Sequence, residues 1–233
     1  MLQSDGVGHP RLVLRPLAPA TPVVAVFDVD GTLLRGDCVW MAARRCNGPG
    51  QLVGAALALL PALLAWRLGR LATGAFKEHA LERFRICDAV NREEAAGRSD
   101  WLLPVLWRDL RPEALERLRW HQERGDRVLL CSASPRMLLQ PLADGLGVEL
   151  LATELQRLEG RWLPRLAGPN NKGAEKVRRL ESHLGSLEGL VMEAYGDSRG
   201  DRELLLAAQL PHYRSFCPEP RPYPVEPHRQ VGP

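Results

Sequence analysis

The chain has 233 residues, enough for one large domain or one domain that carries an insertion. Hydrophobic residues make up 45% and charged residues 25% of it, and the mean hydropathy is −0.20, which excludes a disordered chain and a polytopic membrane protein. The net charge is only +3, from 31 basic and 28 acidic residues, so no nucleic acid is expected as a partner.

The cysteines and the first residues indicate the cellular compartment in which the protein is expected. The chain has five cysteines, with no C-x-x-C pair and no histidine-rich neighbourhood, which argues against a zinc site and a disulfide framework. The opening segment M-L-Q-S-D-G-V-G-H-P lacks the basic and apolar regions of a secretory signal. Both observations predict a protein of the reducing cytoplasm.

The apolar residues change their period in a regular way along the chain. Residues 1–21 have no sustained period and predict a loose lead-in. Val23–Phe27 is a short continuous apolar run, which predicts a strand buried on both faces. Similar apolar runs predict strands at 128–131, 148–152 and 190–195. Patterns typical of helices predict α-helices at 113–124, 174–184 and 202–209. The alternation predicts an α/β fold with a doubly wound parallel sheet.

Residues 35–111 are the exception, because they are helical in composition and contain no comparable strand run. They predict an α-helical module inserted after the first strand. Within it, residues 52–66 form the longest uncharged apolar run, with Pro61 in its middle. The run is shorter than the roughly 18–20 residues that cross a bilayer, and a proline interrupts helical hydrogen bonds. We expect a kinked helix or helical hairpin that is buried in a bundle; contact with lipid is the alternative.

The proline-dense stretch from Pro218 predicts an extended tail. The predicted organisation therefore has a lead-in at 1–21, an α/β core at 22–36 and 112–217, an inserted helical cap at 37–111 and a tail at 218–233. In a doubly wound sheet, ligands bind outside the carboxyl ends of the strands. Polar residues at those ends are the candidates for function.

Two acidic residues, Asp28 and Asp30, follow the first predicted strand. Carboxylates at i and i+2 of an extended segment point to the same side, and Gly31 lets the chain turn away at once. An ordinary turn or a calcium loop is the alternative. The further ligands and the downstream glutamate of a helix-loop-helix calcium site are absent from the sequence.

Three more polar motifs lie at strand or helix ends. The second strand ends in C-S-A-S, where Ser132 precedes a helix and is either a helix cap or part of an anion site. The segment N-K-G-A-E-K carries Lys172 and Lys176, two of only three lysines, which share one helix face. The segment G-D-S-R-G-D carries Asp197 and Asp201, which are solvated loop acids or oxygen ligands for Mg²⁺.

Taken together, these four motifs resemble those of the haloacid dehalogenase (HAD) superfamily of phosphohydrolases, over residues 23–210. Asp30 matters most, because an acid at this position marks the phosphatases and phosphomutases of that superfamily. The helical insert falls between the first two motifs, as in the phosphoserine-phosphatase-like subgroup. The resemblance implies a HAD-like Rossmannoid core with an inserted α-helical cap.

The resemblance also implies roles for the acidic residues. Asp28 would be the nucleophile that forms an aspartyl-phosphate. Asp30 would protonate the leaving oxygen and then deprotonate the attacking water. The cofactor would be Mg²⁺, held by Asp28, the backbone carbonyl of Asp30 and Asp197, with Asp201 close by or bound through water.

The remaining roles concern the phosphoryl group and the substrate. Ser132 would donate a hydrogen bond to a phosphoryl oxygen, and Lys176, favoured over Lys172, would neutralise charge shared by Asp28 and the phosphoryl group. The candidates for substrate binding are Ser132, Ala133, Lys172, Asp37 and Arg83. Arg83 is the nearest candidate for the cap arginine of phosphoserine phosphatases, although it is out of register with it.

The leading hypothesis is a soluble, Mg²⁺-dependent phosphatase of a small phosphorylated metabolite. Residues 52–66, with Arg67 and Arg70 nearby, suggest as an alternative a membrane-surface phosphatase of a phosphorylated lipid such as phosphatidylglycerophosphate. Phosphoserine is another candidate substrate. A non-hydrolytic role in phosphotransfer or binding comes last, because Asp28 and Asp30 are both intact. Membrane contact is not favoured, and the sequence leaves the oligomeric state open.

Overall fold

A computed structural model describes residues 22–219, together with the backbone of a short antiparallel ladder formed by β1 (Gln3–Ser4) and β2 (Pro10–Arg11). The rest of the predicted lead-in at 1–21, and the predicted tail from residue 220 onward, lie outside the described residues.

The centre of the fold is a five-stranded sheet in the order β5-β4-β3-β8-β9, and every neighbouring pair in it is parallel. Its strands are β3 (Val23–Phe27), β4 (Arg127–Pro135), β5 (Glu149–Thr153), β8 (Val191–Gly196) and β9 (Leu210–Tyr213). The central strand, β3, is continuously apolar because both of its faces are covered. This sheet confirms the predicted α/β fold.

Helices cover both faces of the sheet: α6 (Pro112–Glu123), α7 (Arg136–Leu146), α8 (Ala174–Leu184) and α9 (Arg202–Ala207). Alternate residues of β3 enter two separate apolar clusters, as the period of a strand requires. Ala25 and Phe27 pack in the cluster that includes α6 and α7. Val24 and Val26 pack in the cluster that includes α8 and α9. The sheet is therefore doubly wound.

A run of helices, which we call the helical module, lies between β3 and α6: α1 (Cys38–Cys46), α2 (Pro49–Arg67), α3 (Thr73–Arg83), α4 (Ile86–Ala95) and α5 (Leu103–Asp109). A β-hairpin of the core, β6 (Leu155–Leu158) and β7 (Arg161–Leu166), packs against this module. Asn91 of α4 exchanges two hydrogen bonds with the backbone of Trp162, at 2.8 and 3.0 Å. The backbone N–H of Leu166 donates to Glu78 of α3 at 2.7 Å.

The structure contradicts part of the expectation for residues 52–66. The segment is a single helix and not a hairpin, because α2 continues through Pro61 for 19 residues. A proline removes one hydrogen bond of the ladder, and the rest of this long helix is kept. The segment is also not buried, since Leu59 is its one buried residue while Leu57 and Leu64 are 61% and 62% exposed. By length and composition alone, α2 is sufficient to cross a membrane.

Candidate active site

The carboxyl ends of β3, β4 and β8 meet at one edge of the sheet and bring the predicted polar residues together. Asp28 directly follows β3, and its backbone N–H donates to the carbonyl of Tyr195 in the neighbouring strand β8 at 2.9 Å. Ser132 and Ala133 lie in the last part of β4, and Asp197 directly follows β8. The topology of a parallel sheet produces this convergence from distant parts of the chain.

Lys176 lies between two carboxylates at the centre of this edge. Its Nζ donates to Oδ1 of Asp28 at 2.5 Å and to Oδ1 of Asp201 at 2.6 Å, and the side chain is only 1% exposed. Burial opposes the ammonium charge, but the two carboxylates outweigh this effect and raise the pKa of Lys176. The lysine is therefore a fixed positive charge.

The acidic residues around Lys176 carry more charge than this one ammonium neutralises. Burial, with added repulsion from Asp201 and Asp30, raises the pKa of the Asp28 carboxyl well above its usual range, although Lys176 opposes the shift. Burial and the charge of Asp201 also raise the pKa of Asp197. Such shifts mark a site where a further cation would stabilise the ionised carboxylates.

Asp28, Asp197 and Asp201 form a group that could hold this cation, because one ligand oxygen from each lies within 4.8 Å of the others. Gly31 makes the close approach of the chain to Asp197 feasible. At its φ of +88°, a Cβ atom would lie 2.4 Å from Oδ2 of Asp197. Three hard oxygen donors of this kind fit Mg²⁺.

Asp30 occupies a different environment from Asp28. Its carboxylate accepts hydrogen bonds from the backbone N–H of Cys38 at 2.7 Å and from Oγ of Ser134 at 2.5 Å. Burial raises the pKa of Asp30 to about 6, the charge of Asp37 adds to the shift, and the hydrogen bonds oppose it. A carboxyl with this pKa can both donate and accept a proton near neutral pH.

Ser132 is completely buried beside these acids. Its Oγ accepts a hydrogen bond from the backbone N–H of Ser134 at 3.0 Å, and its backbone carbonyl accepts one from Nδ2 of Asn171 at 3.1 Å. Ser132 does not itself line the cavity above these acids, unlike its neighbours Ala133 and Ser134.

A cavity of about 430 Å³ opens above the acids, between the core and the helical module. Asp28, Asp30 and Lys176 line its floor. Its walls are mostly apolar and come from the helical module: Val39, Trp40, Leu59, Trp66, Phe76 and Phe84. The rings of Trp66 and Phe76 stack with centroids 5.2 Å apart.

The predicted substrate-binding residues are distributed unevenly around this cavity. Ala133 and Lys172 line it. Asp37 also lines it, but its carboxylate caps α1 by accepting from the backbone N–H of Trp40 at 2.8 Å. Arg83 is exposed near the end of α3 and does not line the cavity, so the structure gives no reason to retain it as a substrate ligand.

Lys77 and Ser134 are among the polar residues that line the cavity and were not predicted. Nζ of Lys77, on α3, donates to the carbonyl of Ala133 and, at 2.6 Å, to Oδ1 of Asn170. Burial lowers the pKa of Lys77 to about 8, against the raising effect of nearby Asp30. The scarcity of lysine was the signal for this residue, because Lys77 is the third of only three lysines in the chain.

Comparisons with known proteins agree with this architecture. The sequence profile of haloacid dehalogenase-like hydrolases matches residues 25–206. Protein CicA of Caulobacter vibrioides is 34% identical, over 85% of this chain and 89% of that protein. Phosphoserine phosphatase SerB2 of Mycobacterium tuberculosis is 29% identical, over 83% of this chain but 44% of SerB2. The crystal structure of a protein of unknown function from Bordetella pertussis Tohama I superposes with a TM-score of 0.68 at 25% identity, covering 83% of this chain and 89% of that one.

Proposed function

The chain belongs to the haloacid dehalogenase-like hydrolase family, and on that premise we propose that it is a Mg²⁺-dependent phosphatase that hydrolyses the phosphomonoester of a small metabolite through an aspartyl-phosphate. One observation carries the proposal. Asp28 lies at the floor of the cavity, paired with the buried ammonium of Lys176 and grouped with Asp197 and Asp201. This arrangement combines a nucleophilic carboxylate with the positive charge that phosphoryl transfer requires.

In the first half of the reaction, an oxygen of Asp28 attacks the phosphorus atom of the substrate. The bond between phosphorus and the leaving oxygen breaks, and protonated Asp30 gives its proton to that oxygen. The pKa of Asp30, raised to about 6 chiefly by burial, suits this donation. The alcohol product leaves, and the phosphoryl group remains on Asp28.

In the second half, a water molecule attacks the phosphorus atom of the aspartyl-phosphate. Asp30, now ionised, accepts a proton from this water, and the bond between phosphorus and Asp28 breaks. Inorganic phosphate leaves and both carboxyl groups return to their starting states. The hydrogen bonds from Ser134 and the backbone of Cys38 hold the Asp30 carboxylate in place for both proton transfers.

Charge around the phosphoryl group is neutralised from several sides. Lys176 offsets the charge that Asp28 shares with the phosphoryl oxygens, and Ser132 donates its hydroxyl hydrogen to one of those oxygens. Asp28, Asp197, Asp201 and the backbone carbonyl of Asp30 would hold Mg²⁺. When bound, this ion would screen the repulsion between the carboxylate and the phosphate. Lys172, which lines the cavity, adds positive charge toward the substrate.

The relative SerB2 is named a phosphoserine phosphatase, but this cavity gives that substrate little support. A phosphoserine presents an ammonium and a carboxylate, each of which needs a charged partner. Arg83 does not line the cavity. Lys77 and Asp37 do, but Lys77 already donates to Ala133 and Asn170, and Asp37 already accepts from the backbone of Trp40. We therefore do not propose phosphoserine as the substrate, and it is one phosphomonoester in the panel to be tested.

A phosphomonoester with an apolar body is the second candidate, because the walls formed by Leu59, Trp66 and Phe76 are apolar. Such a molecule would bury its apolar part against the helical module while the phosphate lies at the acids. A phosphorylated lipid belongs to this class.

The experiment is a panel of sugar, amino-acid and lipid phosphates, assayed for phosphate release with Mg²⁺ and with a chelator. We expect release by the wild-type protein with Mg²⁺ only, and none by Asp28→Asn. The matched control is Asp88→Asn, which removes an exposed carboxylate paired with Arg85 at the surface and should keep full activity. Wild-type rates in Asp28→Asn, or undiminished rates in chelator, would contradict the proposal.

A further inference from the structure

The side of α2 that faces away from the protein is apolar along its whole length. The exposed fractions there are 60%, 61%, 45%, 62% and 66%, for Val53, Leu57, Leu60, Leu64 and Leu68. At 100° per residue these five positions fall within an arc of about 80°. We call this set the outer face of α2. A surface helix of a soluble protein ordinarily carries polar residues on that side.

The opposite side of the same helix is packed against the protein. Leu59 is buried, and Leu52, Ala55 and Ala62 pack against the main apolar cluster. Trp66 stacks on Phe76 and donates from Nε1 to Oγ1 of Thr73 in α3 at 3.2 Å. The helix is thus fixed in place by one side, and its outer face is presented as a continuous apolar strip.

The charged residues nearest to α2 along the chain are positive. Residues 38–77 contain five cationic residues and no acidic residue: Arg44, Arg45, Arg67, Arg70 and Lys77. Arg44 and Arg45 are exposed at the end of α1, just before α2 begins, and Arg67 and Arg70 are exposed where α2 ends. The apolar strip is thereby flanked at both ends by cations, as in helices that lie on anionic membranes.

From these observations we propose that the outer face of α2 docks on a lipid bilayer that contains anionic lipids. The helix lies along the interface and does not cross the bilayer, because Leu59 and Trp66 line the cavity and hold its other side against the protein. A second copy of the chain fits this face poorly. Pairing two such faces would bring the arginines of one copy against those of the other, in either orientation of the two helices.

Docking has a geometric consequence for the candidate active site. The inner side of α2 contributes Leu59 and Trp66 to the cavity wall, opposite to the side that would contact lipid. One helix thickness therefore separates the bilayer surface from the cavity. The docking proposal itself stands without the proposed function, since it depends on surface residues alone.

The test is co-sedimentation with vesicles of phosphatidylcholine, with and without phosphatidylglycerol, using the full chain. We expect the wild-type protein to sediment with the anionic vesicles and far less with neutral ones. Leu57→Asp should weaken this binding at least about tenfold, because an exposed leucine that would enter the lipid is replaced by an anion. The double substitution Arg67→Glu with Arg70→Glu should remove the preference for phosphatidylglycerol.

The matched control is Leu158→Asp, since Leu158 is 62% exposed and belongs to the hairpin strand β6 and not to α2. It should sediment like wild type. Leu57→Asp should also keep the wild-type melting temperature. Val53→Asp, one helical turn away on the same face, keeps the test decisive if the change at position 57 disturbs folding.

Three outcomes would overturn the proposal. The wild-type protein does not sediment with anionic vesicles, or Leu57→Asp and Val53→Asp sediment as well as Leu158→Asp does. In the third outcome, the wild-type protein does not bind vesicles, and light scattering shows that it is a dimer which Leu57→Asp converts to a monomer. That result would assign the outer face of α2 to a second copy of the chain.

Discussion

At the residue scale, the pair of short hydrogen bonds from Lys176 is the feature on which the site's charge balance depends. Its ammonium contacts both Asp28 and Asp201, and all three side chains are buried. Removing the ammonium would leave two buried carboxylates without a positively charged partner, an arrangement that destabilises a protein by about 3–5 kcal/mol when nothing compensates. The same change would remove positive charge from the phosphoryl group.

We predict that Lys176→Ala lowers turnover by about 10²–10³-fold and lowers the melting temperature. Lys176→Arg should not restore activity, because the planar guanidinium is longer and bulkier than the ammonium it replaces in a packed site. Lys172→Ala is the control, since Lys172 lines the cavity without these two ion pairs, and it should have the smaller effect. An inactive Lys172→Ala beside an active Lys176→Ala would exchange the two roles.

If Asp30 is the general acid, the activity lost in Asp30→Asn should depend on the leaving group of the substrate. Asp30→Asn should lower kcat/KM for an alkyl phosphate by about 10²–10⁴-fold, the usual contribution of a general acid. The loss should be smaller for p-nitrophenyl phosphate, whose leaving oxygen needs little protonation. Steady-state kinetics with both substrates measures this difference, and equal losses on the two would contradict a role in protonating the leaving group.

The sequence motifs located most of the residues that the structure gathers at the sheet edge. Asp28, Ser132, Lys176 and Asp197 each lie at the end of a predicted element, and a parallel sheet brings such ends together. Lys77 could not be located in the same way. It is 56 positions before its partner Ala133 and lies on a helix whose placement over the sheet depends on tertiary packing. The periodicity of a sequence does not indicate how its helices pack.

At the scale of elements, the strands of the central sheet were the easiest to predict. A short continuous apolar run between two turns is typical of a strand buried on both faces. β9 was missed, since its sequence L-P-H-Y contains a proline and suits only the edge of the sheet. No range was predicted for α7, because Pro141 and Gly145 within it weaken its helical pattern. In α2, composition indicated a helix correctly, but no local pattern could tell which side would be covered.

The turn after β3 allows a prediction with a close control. Gly31→Ala should raise the Mg²⁺ concentration needed for half-maximal activity, because the new Cβ would displace Asp197. Gly160→Ala is the control, since Gly160 also has a positive φ, of +78°, but nothing lies within 4 Å of its Cβ position. Both substitutions should destabilise the fold by about 1 kcal/mol through backbone strain. A Mg²⁺ titration of activity that is identical for the two variants would contradict the ligand role of Asp197.

At the scale of the whole molecule, the cavity exists because the core and the helical module are held together on more than one side. The hairpin of β6 and β7 binds the module through Asn91 and Glu78. Lys77 joins α3 to the end of β4. The sequence predicted that a helical insert is present, but the enclosure of the acids beneath its apolar wall follows only from these long-range contacts.

Metal binding should be visible in the stability of the entire fold. A ligand that binds only the folded state at 100 times its Kd stabilises that state by about 2.7 kcal/mol. We therefore predict that Mg²⁺ raises the melting temperature of the wild-type protein and that Asp197→Asn loses most of this increase. Asp88→Asn, on the surface, should keep it. A melting temperature that is independent of Mg²⁺ in the wild-type protein would remove the proposed metal site.

The most direct test of the central claim is to trap the phosphoryl group on the enzyme. The protein is mixed with p-nitrophenyl phosphate and Mg²⁺, quenched in acid during turnover, digested, and analysed by mass spectrometry. The account predicts one phosphoryl group on the peptide that contains Asp28, labile to hydroxylamine as an acyl phosphate is, and no such peptide from Asp28→Asn. Sustained turnover with the phosphoryl group on another residue, or continued turnover by Asp28→Asn, would contradict it.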